Sequence, residues 1–378
     1  MSKKVGIVTL PLVSNYGGIL QCLALNFVLR KLGYKVTLID IKPRPPVIKG
    51  IILNILSRCP FQNIKGIREQ YVKEKKNENT ISKYINNRTG KITDSSGLEK
   101  AFNNLDLDAV IVGSDQVWRY EYINNDMYAA YFLNFVKEKK CKKISYAASF
   151  GVDNWNHENK RSVTQKLLSQ FDAISVREIS GVQICNNEFA VKNVEHVLDP
   201  TMLDLTFYDE LLDGVNEKKE FDKKYLLKYV LDEKDIADNI SLLINKKYGL
   251  SNEVNILGKG KNYSIEEWVL AFKKATYIVT DSFHGMVFSI LFNKNFIVIG
   301  NKSRGLSRFV SLLGKLDLLD RLFYPEEIIN NKRLIEILHK DIDYCNVNEL
   351  IKNWRGNPIR FLKTNLNEIS YNIFIDND

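Results

Sequence analysis

The chain has 378 residues, which is too long for one small core, so two domains are expected. Its net charge of +9 would suit an acidic ligand or an anionic surface, although the cations are mostly lysines scattered through loops, as on a solvated exterior. The sequence has no nucleic-acid recognition motif, signal peptide or membrane-spanning run, and its five widely spaced cysteines form no zinc-binding pattern. We therefore expect a cytoplasmic protein with reduced thiols and no nucleic-acid partner.

The chain begins with a strand, a helix and a second strand, which together predict a βαβ unit. We expect the helix at residues 19–32, between strands at residues 5–10 and 35–39. Gly17 and Gly18 lie in the loop before the helix, where they let the backbone approach a ligand closely at a helix N-terminus. Because the G-x-G-x-x-G pattern is absent, no dinucleotide site is predicted.

Residues 43–100 interrupt this alternation. They contain the apolar stretch VIKGIILNILSRCPF, followed by a run rich in Lys, Glu and Asn. We predict an insertion that is docked over the first domain. The alternative is an interfacial helix that rests on the anionic inner surface of the cytoplasmic membrane. The two interpretations differ in whether protein covers Ile51, Ile52, Ile55 and Leu56.

A predicted strand at residues 109–112 is followed by the sequence GSDQVW, which brings Asp115, Gln116 and Trp118 to the edge of the sheet. An aromatic face beside a carboxylate and an amide suits a hydroxyl-rich ring, so this turn is a candidate sugar site. The same residues are equally compatible with a capped helix start and a Trp side chain packed in the core.

An arginine follows another predicted strand directly. Arg177 comes after the strand at residues 173–176, where a guanidinium can bind phosphate or carboxylate. The alternative is a structural ion pair with Glu178. The break at Asp-Pro-Thr, residues 199–201, marks the predicted end of a first domain at residues 1–200.

The second half of the chain repeats the alternation and predicts a second domain at residues 201–346. Its helix at residues 264–275 starts with a Ser-x-x-Glu capping box. Arg304 and Arg308 follow a later strand, and two guanidiniums in this position again suit an anion. A final helix is predicted in the C-terminal segment, residues 347–378, from which it can cross back to the first domain.

Residues 276–301 of the second domain predict a strand, a helix and a strand, in which Asp281 and Ser282 are residue types that open a helix. His284 and Gly285 then lie in the first helical turn, at the carboxyl end of a parallel strand, where α/β folds bind ligands. The free N–H groups of the helix favour an anion there, and an imidazole beside an anion suits a catalyst. The alternative role of His284 is capping or packing.

Six stretches occur together and in this order: NYGGILQCLAL at residues 15–25, VGSDQVW at 112–118, YAASFG at 146–151, SVRE at 175–178, VLDPT at 197–201 and TDSFHGMVFSI at 280–290. As a set they resemble the polysaccharide pyruvyl transferase family, over about residues 4–320. The resemblance implies an α/β fold of two Rossmann-like domains that face a cleft, as in the GT-B type of glycosyltransferase. It also implies phosphoenolpyruvate as the donor, whose pyruvate is placed as a cyclic ketal on a sugar of a bacterial surface polysaccharide, often while that sugar is lipid-linked.

The resemblance also implies roles for the candidate residues. His284 is expected to be the acid that protonates the donor, and Asp115 the base that takes a proton from a sugar hydroxyl. The chemistry requires no metal ion and no other cofactor, because phosphoenolpyruvate is itself a substrate. The expected donor-binding residues are Arg177, Ser282, Gly285, Arg304 and Arg308. The expected acceptor-binding residues are Asn15, Tyr16, Gly17, Gln21, Gln116 and Trp118.

The chain departs from the family pattern at one position. In other branches of the family the residue two before the histidine is Arg, whereas here it is Ser282. We expect Arg304 and Arg308 to supply the missing positive charge.

Two other functions stay open at this point. A GT-B-type glycosyltransferase with a nucleotide-sugar donor would need a base-and-ribose site in the second domain, typically with a carboxylate for the ribose hydroxyls. A glycan-binding relative without catalysis would hold His284 away from the cleft, for instance in an apolar contact.

Overall fold

The structure is a computed structural model, which describes residues 2–42, 65–123, 125–137, 140–257, 261–301, 304–328 and 332–367. The apolar stretch with Ile51, Ile52, Ile55 and Leu56 lies outside these ranges. Of the helices within them, none is both long enough and apolar enough to cross a membrane.

Six parallel strands form the sheet of the first domain. They are β1 (Lys4–Val8), β2 (Lys35–Leu38), β3 (Ala109–Val112), β4 (Lys142–Ala148), β5 (Ala173–Val176) and β6 (Val194–His196). Their order across the sheet is β2-β1-β3-β4-β5-β6, and Val5 of β1 is paired with Val36 on one side and Ala109 on the other. The central strands are short runs of buried Val, Ile and Ala, as parallel strands covered by helices on both faces require.

Helices cover this sheet, and two further helices form the described part of the predicted insertion. They are α1 (Tyr16–Lys31), α2 (Lys65–Tyr84), α3 (Ser95–Asn103), α4 (Glu158–Leu168) and α5 (Ile179–Phe189), with 3₁₀ turns at Tyr120–Tyr122, Asn125–Phe132 and Pro200–Met202. The described part of the insertion is docked over the first domain, since Ile81 and Ile85 are buried in its core.

The first helix begins earlier than predicted. Tyr16, Gly17 and Gly18 form its first turn instead of a loop, and Asn15 takes the N-cap position. Glycine disfavours a helix by about 1 kcal/mol relative to alanine, which is why the sequence predicted a later start. Here both glycines are buried against neighbouring side chains, and this tertiary packing outweighs the local preference.

Five parallel strands form the sheet of the second domain. They are β7 (Leu226–Tyr229), β8 (Glu253–Asn255), β9 (Tyr277–Thr280), β10 (Asn295–Ile299) and β11 (Leu322–Phe323), in the order β11-β10-β9-β7-β8. The helices are α6 (Thr206–Leu212), α7 (Lys234–Tyr248), α8 (Ile265–Lys274), α9 (Phe283–Leu291), α10 (Ser307–Lys315), α11 (Pro325–Ile328), α12 (Lys332–Leu338) and α13 (Tyr344–Leu366). The capping box predicted for α8 is confirmed, with Ser264 and Glu267 as its two members.

The last helix runs from one domain to the other. The Tyr344 hydroxyl, at its start, donates to the carbonyl of Lys294 in the second domain. Further along, Trp354 packs edge-on against His196 and Phe361 contacts Tyr146, both in the first domain. Helix α13 therefore packs against both domains and connects the second domain to the first.

The two domains also meet at two regions beside the cleft. At one of them Tyr16 of α1 stacks on Trp268 of α8, with ring centroids 5.6 Å apart. At the other, the amide of Ser307 donates to the carboxylate of Asp153 over 3.1 Å. The predicted α/β fold with two parallel sheets is confirmed.

Candidate active site

A cavity of about 390 Å³ lies between the two domains, at the carboxyl ends of both sheets. The chain order reverses between β1 and β3 in the first sheet and between β7 and β9 in the second, and open α/β sheets bind ligands at such points. Loops after all four of these strands contribute to the wall. The lining residues are Ser14, Asn15, Lys73, Asp115, Gln116, Tyr122, Tyr229, Leu231, Leu257, Asp281, Ser282, Phe283, His284, Arg304, Arg308 and Phe309.

A second cavity of about 340 Å³ adjoins the first and is lined by first-domain residues. Asn15, Asp115 and Tyr122 line both cavities. Leu10, Pro11 and Gly18 complete the wall of the second. The Asp115 carboxylate therefore lies at the junction of a space shared by both domains and a space that belongs to the first.

The turn between β9 and α9 places His284 in the cavity wall. Ser282 is the N-cap residue, and its hydroxyl accepts the amide N–H of Gly285. A Cβ at Gly285 would lie 2.1 Å from the Thr280 hydroxyl oxygen, so the tight turn needs glycine here. His284 is 6% exposed and lines the cavity, so it is neither the helix cap nor hidden in an apolar contact.

Asp281 does not cap α9, although its residue type suggested that it could help to open the helix. Its carboxylate accepts backbone N–H groups of Leu231 and Asp232 at 2.7 Å and of Glu233 at 3.2 Å. These bonds tie the loop after β7 to the end of β9. Asp281 therefore fixes the position of the loop after β7 relative to the end of β9, and both line the cavity.

Behind His284 lies a buried carboxylate that the sequence did not identify as a site residue. The Asp199 Oδ2 atom is 3.7 Å from His284 Nε2, an ion-pair distance that is longer than a hydrogen bond. The same oxygen accepts from Arg177 Nη1 and from the Ser114 hydroxyl, both at 2.8 Å, and Thr201 donates to Oδ1. Burial alone would raise the pKa of Asp199, but His284 and Arg177 hold that pKa well below its usual range.

On its other side His284 touches the first helix of the other domain. A Cβ at Gly17 would lie 2.1 Å from His284 Nδ1, so glycine is needed for the imidazole to pack against α1. The N-termini of α1 and α9 consequently both lie at the cleft. Helix N-termini carry free N–H groups and a positive dipole end, which suit an anionic ligand.

The three arginines predicted to bind the donor lie in different settings. Arg304 lines the cavity and is paired with Asp232, and Arg308 lines it beside Arg304. Burial, together with the nearby Arg177, lowers the pKa of Arg308 to about 10. Arg177 is not among the lining residues. It is buried between Asp199 and the Phe283 ring, whose centroid is 4.4 Å from its guanidinium carbon, so it supports Asp199.

The alternative ion pair between Arg177 and Glu178 does not form. Glu178 instead accepts from the Ser149 hydroxyl and from the backbone amides of Phe150 and Gly151. Because Glu178 is fully buried, burial raises its pKa. This carboxyl fixes the turn after β4, whereas Arg177 turns toward Asp199.

Asp115 and Gln116 lie on the cavity wall, as the sequence predicted. Asp115 has a φ of +85°, which is uncommon for a residue with a side chain. Its carboxylate accepts from the Asn15 amide at 3.3 Å and from the backbone N–H of Gln116 at 2.9 Å. Gln116 is held in turn by Arg119. The strained turn thus presents a fixed carboxylate to both cavities.

Four of the residues predicted to bind the acceptor are not among those that line either cavity, namely Tyr16, Gly17, Gln21 and Trp118. Trp118 is 0% exposed, stacks on Phe132 with an angle of 4° between the rings, and donates from its indole N–H to a backbone carbonyl. Gln21 is buried and donates to Thr9. Tyr16 donates to the carbonyl of Tyr263 and serves the contact between the domains. The interpretation of Trp118 as a sugar platform was wrong, because aromatic neighbours cover the ring and its N–H is already bonded to a backbone carbonyl.

Several residues of the site were missed at the level of sequence. Asp199 belongs to the VLDPT stretch, which supported the predicted domain boundary and the family resemblance but not the candidate site. Lys73 lies in the Lys-rich run of the insertion, where nothing distinguishes it from its neighbours. Tyr122 follows the Asp115 turn without any pattern of its own. Of these, only Asp199 carried a signal that could have been used, a carboxylate directly after a parallel strand.

The sequence and the structure were compared with known proteins. A model of the family described as polysaccharide pyruvyl transferase matches residues 15–303. A search of curated protein sequences gave no match.

Solved structures with a similar fold include sugar-nucleotide enzymes. A Listeria monocytogenes protein assigned as a UDP-N-acetylglucosamine 2-epimerase is 9% identical, with a TM-score of 0.55, over 96% of this chain and 94% of its own. The S. aureus MnaA–UDP co-structure is 12% identical, with a TM-score of 0.51, over 94% and 97%. The UDP-GlcNAc 2-epimerase of Neisseria meningitidis is 14% identical, with a TM-score of 0.50, over 93% and 98%. At these identities the likeness concerns the fold alone, and it confirms the GT-B-like architecture.

Proposed function

Because the chain belongs to the polysaccharide pyruvyl transferase family, we propose that it moves pyruvate from phosphoenolpyruvate onto a sugar and forms a cyclic ketal. The acceptor is a sugar of a bacterial surface polysaccharide or of its lipid-linked precursor. The observation that carries this proposal is the pair of His284 and Asp199 at the wall of a cavity between the domains.

The first step needs an acid. The methylene carbon of phosphoenolpyruvate must gain a proton before the neighbouring carbon becomes electrophilic. His284 in its protonated form supplies this proton, since an imidazolium can donate near neutral pH. Asp199 stays ionised behind it, stabilises the imidazolium and holds the ring in place. Arg177 keeps Asp199 charged in a buried setting.

The second step needs a base. A sugar hydroxyl adds to the electrophilic carbon and loses its proton to Asp115. This role is supported by the position of Asp115 in the lining of both cavities. The C–O bond to phosphate then breaks, and phosphate leaves with one proton. A second hydroxyl closes the ketal. The two hydroxyls together give up two protons. One proton completes the methyl group of the ketal, and the other leaves with the phosphate as monohydrogen phosphate.

The charges of the two cavities suggest which substrate each holds. Arg304, Arg308 and the N-terminus of α9 face the larger cavity, where the donor's phosphate and carboxylate would be stabilised. The second cavity is lined by the first domain and carries no arginine or lysine among its lining residues, as suits a neutral sugar. Arg304 and Arg308 are the cations that stand in for the arginine of other family branches at position 282.

The experiment is phosphate release from phosphoenolpyruvate in the presence of cell-envelope glycan precursors. We expect acceptor-dependent release by the wild type and its loss in His284→Ala. His339→Ala is the matched control, since His339 is an exposed histidine outside the cavity, bonded to the carbonyl of Ile335. Mass spectrometry of the product would show the added pyruvate as a ketal.

The competing functions can be distinguished by measuring how each ligand shifts the melting temperature of the wild type. A shift with a nucleotide sugar and none with phosphoenolpyruvate would replace the pyruvyl transferase by a GT-B-type glycosyltransferase. A shift with the glycan alone, without phosphate release by any preparation, would indicate a glycan-binding protein.

Peripheral attachment to the cytoplasmic membrane is part of the proposal, since a lipid-linked acceptor would lie there. The residues concerned are 51–56, outside the described ranges. Deleting them should weaken binding to anionic liposomes. Unchanged liposome binding would remove the membrane from the proposal.

A further inference from the structure

Helix α2 of the insertion bridges the two domains beside the cleft. On the first-domain side, the Asn77 amide donates to the carbonyl of Val13 at 2.9 Å. On the second-domain side, Lys76 donates to the carbonyl of Asn262 at 2.8 Å and the Thr80 hydroxyl donates to Glu266 at 2.8 Å. Because these bonds lie within about one turn of helix, α2 is held in place by both domains at once.

One turn earlier in α2, Lys73 lines the larger cavity. Lys73 is four residues before Asn77 and therefore lies on the same face of the helix. It is one of the residues that line the cavity, and its Nζ is 4.0 Å from the centroid of the Tyr16 ring. In the described part of the chain no carboxylate or carbonyl accepts a hydrogen bond from this ammonium group. All three of its N–H donors are thus left for something in the cavity.

The other cations of the cavity wall each have a hydrogen-bond acceptor within the protein, although Arg308 Nε has none. Arg304 is bonded to Asp232, and Arg308 donates to the carbonyl of Arg304. The two carboxylates on the wall are also engaged, since Asp281 accepts three backbone amides and Asp115 accepts from Asn15. In the part of the chain that the structure describes, no carboxylate forms an ion pair with Lys73.

Burying an ammonium group without a counter-charge is unfavourable, and burial lowers the pKa of Lys73 to about 8. The face of the Tyr16 ring compensates only in part, because a cation–π contact is worth less than a charged hydrogen bond. An anion bound in the cavity would supply both the missing charge and the missing acceptors. Around neutral pH the group still carries its proton and can bind such an anion.

We propose that Lys73 is a phosphate-binding residue of the cavity, contributed by the insertion and held over the cleft by α2. The proposal deepens the proposed function and rests on it for the choice of phosphate as the anion. The phosphate belongs either to the phosphoenolpyruvate donor or to the diphosphate of a lipid-linked acceptor. Both sources present the same oxygen atoms to an ammonium group.

The test compares ligand binding by calorimetry in the full-length wild type, Lys73→Met, Lys73→Arg and Lys75→Met. The probes are phosphoenolpyruvate and inorganic pyrophosphate. Lys75→Met is the matched control, because it removes the same charge from an exposed position of the same helix. We expect Lys73→Met to weaken the affinity for at least one probe by about tenfold or more, as the loss of a charged hydrogen bond requires. Lys73→Arg should keep most of the affinity, and Lys75→Met should match the wild type.

Each outcome assigns the phosphate or removes the proposal. A loss confined to phosphoenolpyruvate places the donor at Lys73, and a loss confined to pyrophosphate places a diphosphate there. Pyrophosphate binding that depends on Lys73, with no binding of phosphoenolpyruvate by the wild type, would uphold this inference and overturn the proposed donor. Equal affinities of Lys73→Met and Lys75→Met for both probes would overturn the role of Lys73, as would a wild type that binds neither probe.

A labelling experiment on the wild type keeps the test independent of folding in the variants. Pyridoxal 5′-phosphate forms an imine with an uncharged amine and releases water, and borohydride then reduces the imine to a stable adduct. We expect peptide mapping to show Lys73 as the first lysine modified, and bound pyrophosphate or phosphoenolpyruvate to protect it. Modification of Lys73 at the same rate as Lys75, or without protection by either probe, would contradict the proposal.

Discussion

Asp199 is the residue that couples the candidate acid to the core of the first domain. Its two oxygens accept from Arg177, Ser114 and Thr201, and one of them faces His284 across the junction between the domains. A buried carboxylate is tolerated only when it is well paired, and here every partner favours its ionised form. In the proposed mechanism Asp199 is therefore a positioning residue that acts through His284.

Replacing Asp199 by Asn should destabilise the protein and slow catalysis together. The change removes the nearer of the two carboxylates that pair with the buried Arg177 and leaves Asp115 at 3.7 Å, and breaking such a buried pair costs about 3–5 kcal/mol. The pKa of Asp199 is depressed in the folded state, so its stabilisation is present above the ordinary aspartate pKa and is lost as the pH falls from there toward the folded pKa. Urea unfolding at several pH values should show the largest difference between wild type and Asp199→Asn at neutral pH, and a smaller one below about pH 4. A difference that grew in acid would contradict this account.

Gly17→Ala should disable the site without unfolding the protein. Its methyl group would meet His284 Nδ1 at 2.1 Å, so the imidazole must leave its present position between α1 and Asp199. We expect phosphate release to fall by about tenfold or more, because small displacements of a catalytic group are costly. Gly356→Ala is the control, since that helical glycine has nothing within 4 Å of the added atom. Unchanged turnover in Gly17→Ala would show that His284 tolerates the shift.

At the scale of elements, the loop after β3 and the 3₁₀ segment Asn125–Phe132 act as a packing unit. Trp118 stacks on Phe132 at 5.5 Å and contacts Phe150 at 5.1 Å, and the buried ring anchors the turn that carries Asp115. Trp118, which the sequence suggested as a platform for a sugar, thus supports the turn of Asp115 from the core. Helix α2 has a similar role, since its bonds to both domains hold Lys73 at the cavity wall.

Substituting Trp118 should change stability and leave the affinity for the acceptor alone. Trp118→Ala should cost about 3–5 kcal/mol of unfolding free energy, as large-to-small changes of buried aromatic residues do. Trp118→Phe should cost less, since a ring still fills much of the space. Denaturant unfolding measures the stability, and the acceptor KM of Trp118→Phe should equal that of the wild type. A raised KM with unchanged stability would restore the sugar-platform interpretation.

At the scale of the whole molecule, the cavity depends on how closely the two domains approach. Gly305 has a φ of +80°, and a Cβ there would lie 2.1 Å from the carbonyl oxygen of Gly151 in the other domain. The Ser307–Asp153 hydrogen bond lies beside this contact, and Arg304 lines the cavity next to it. The domain contact thus sets the distance between the wall that carries the arginines and the wall that carries Asp115.

Gly305→Ala should push the domains apart and weaken ligand binding. Gly214→Ala is the matched control, because Gly214 has a φ of +69° but nothing within 4 Å of an added Cβ. Both variants should lose about 1–2 kcal/mol from the left-handed backbone. Only Gly305→Ala should also bind phosphoenolpyruvate more weakly, as measured by calorimetry. Its radius of gyration, measured by solution scattering, should be larger than that of the wild type. Equal ligand affinity in the two variants would mean that the cavity does not depend on this contact.

The sequence by itself determined the alternation of strands and helices, the capping box of α8 and the family. These features arise from interactions within a few residues: apolar runs that suit buried parallel strands, Ser264 and Glu267 three positions apart, and motifs in a fixed order. The position of His284 after a strand and at a helix start follows from the same local rules, and so does Asp115 after β3.

Only the tertiary structure decided which of these residues meet. Two pairs of residues in the site are far apart in the chain: Asp199 with His284, and Lys73 with Tyr16. The order of the strands and the contact between the domains bring each pair together. The burial of Trp118 and the early start of α1 depend on neighbours that no local pattern names. Local preferences of a kcal/mol or less are outweighed by packing, which is why the cavity wall could be predicted only in part from the residues at the strand ends.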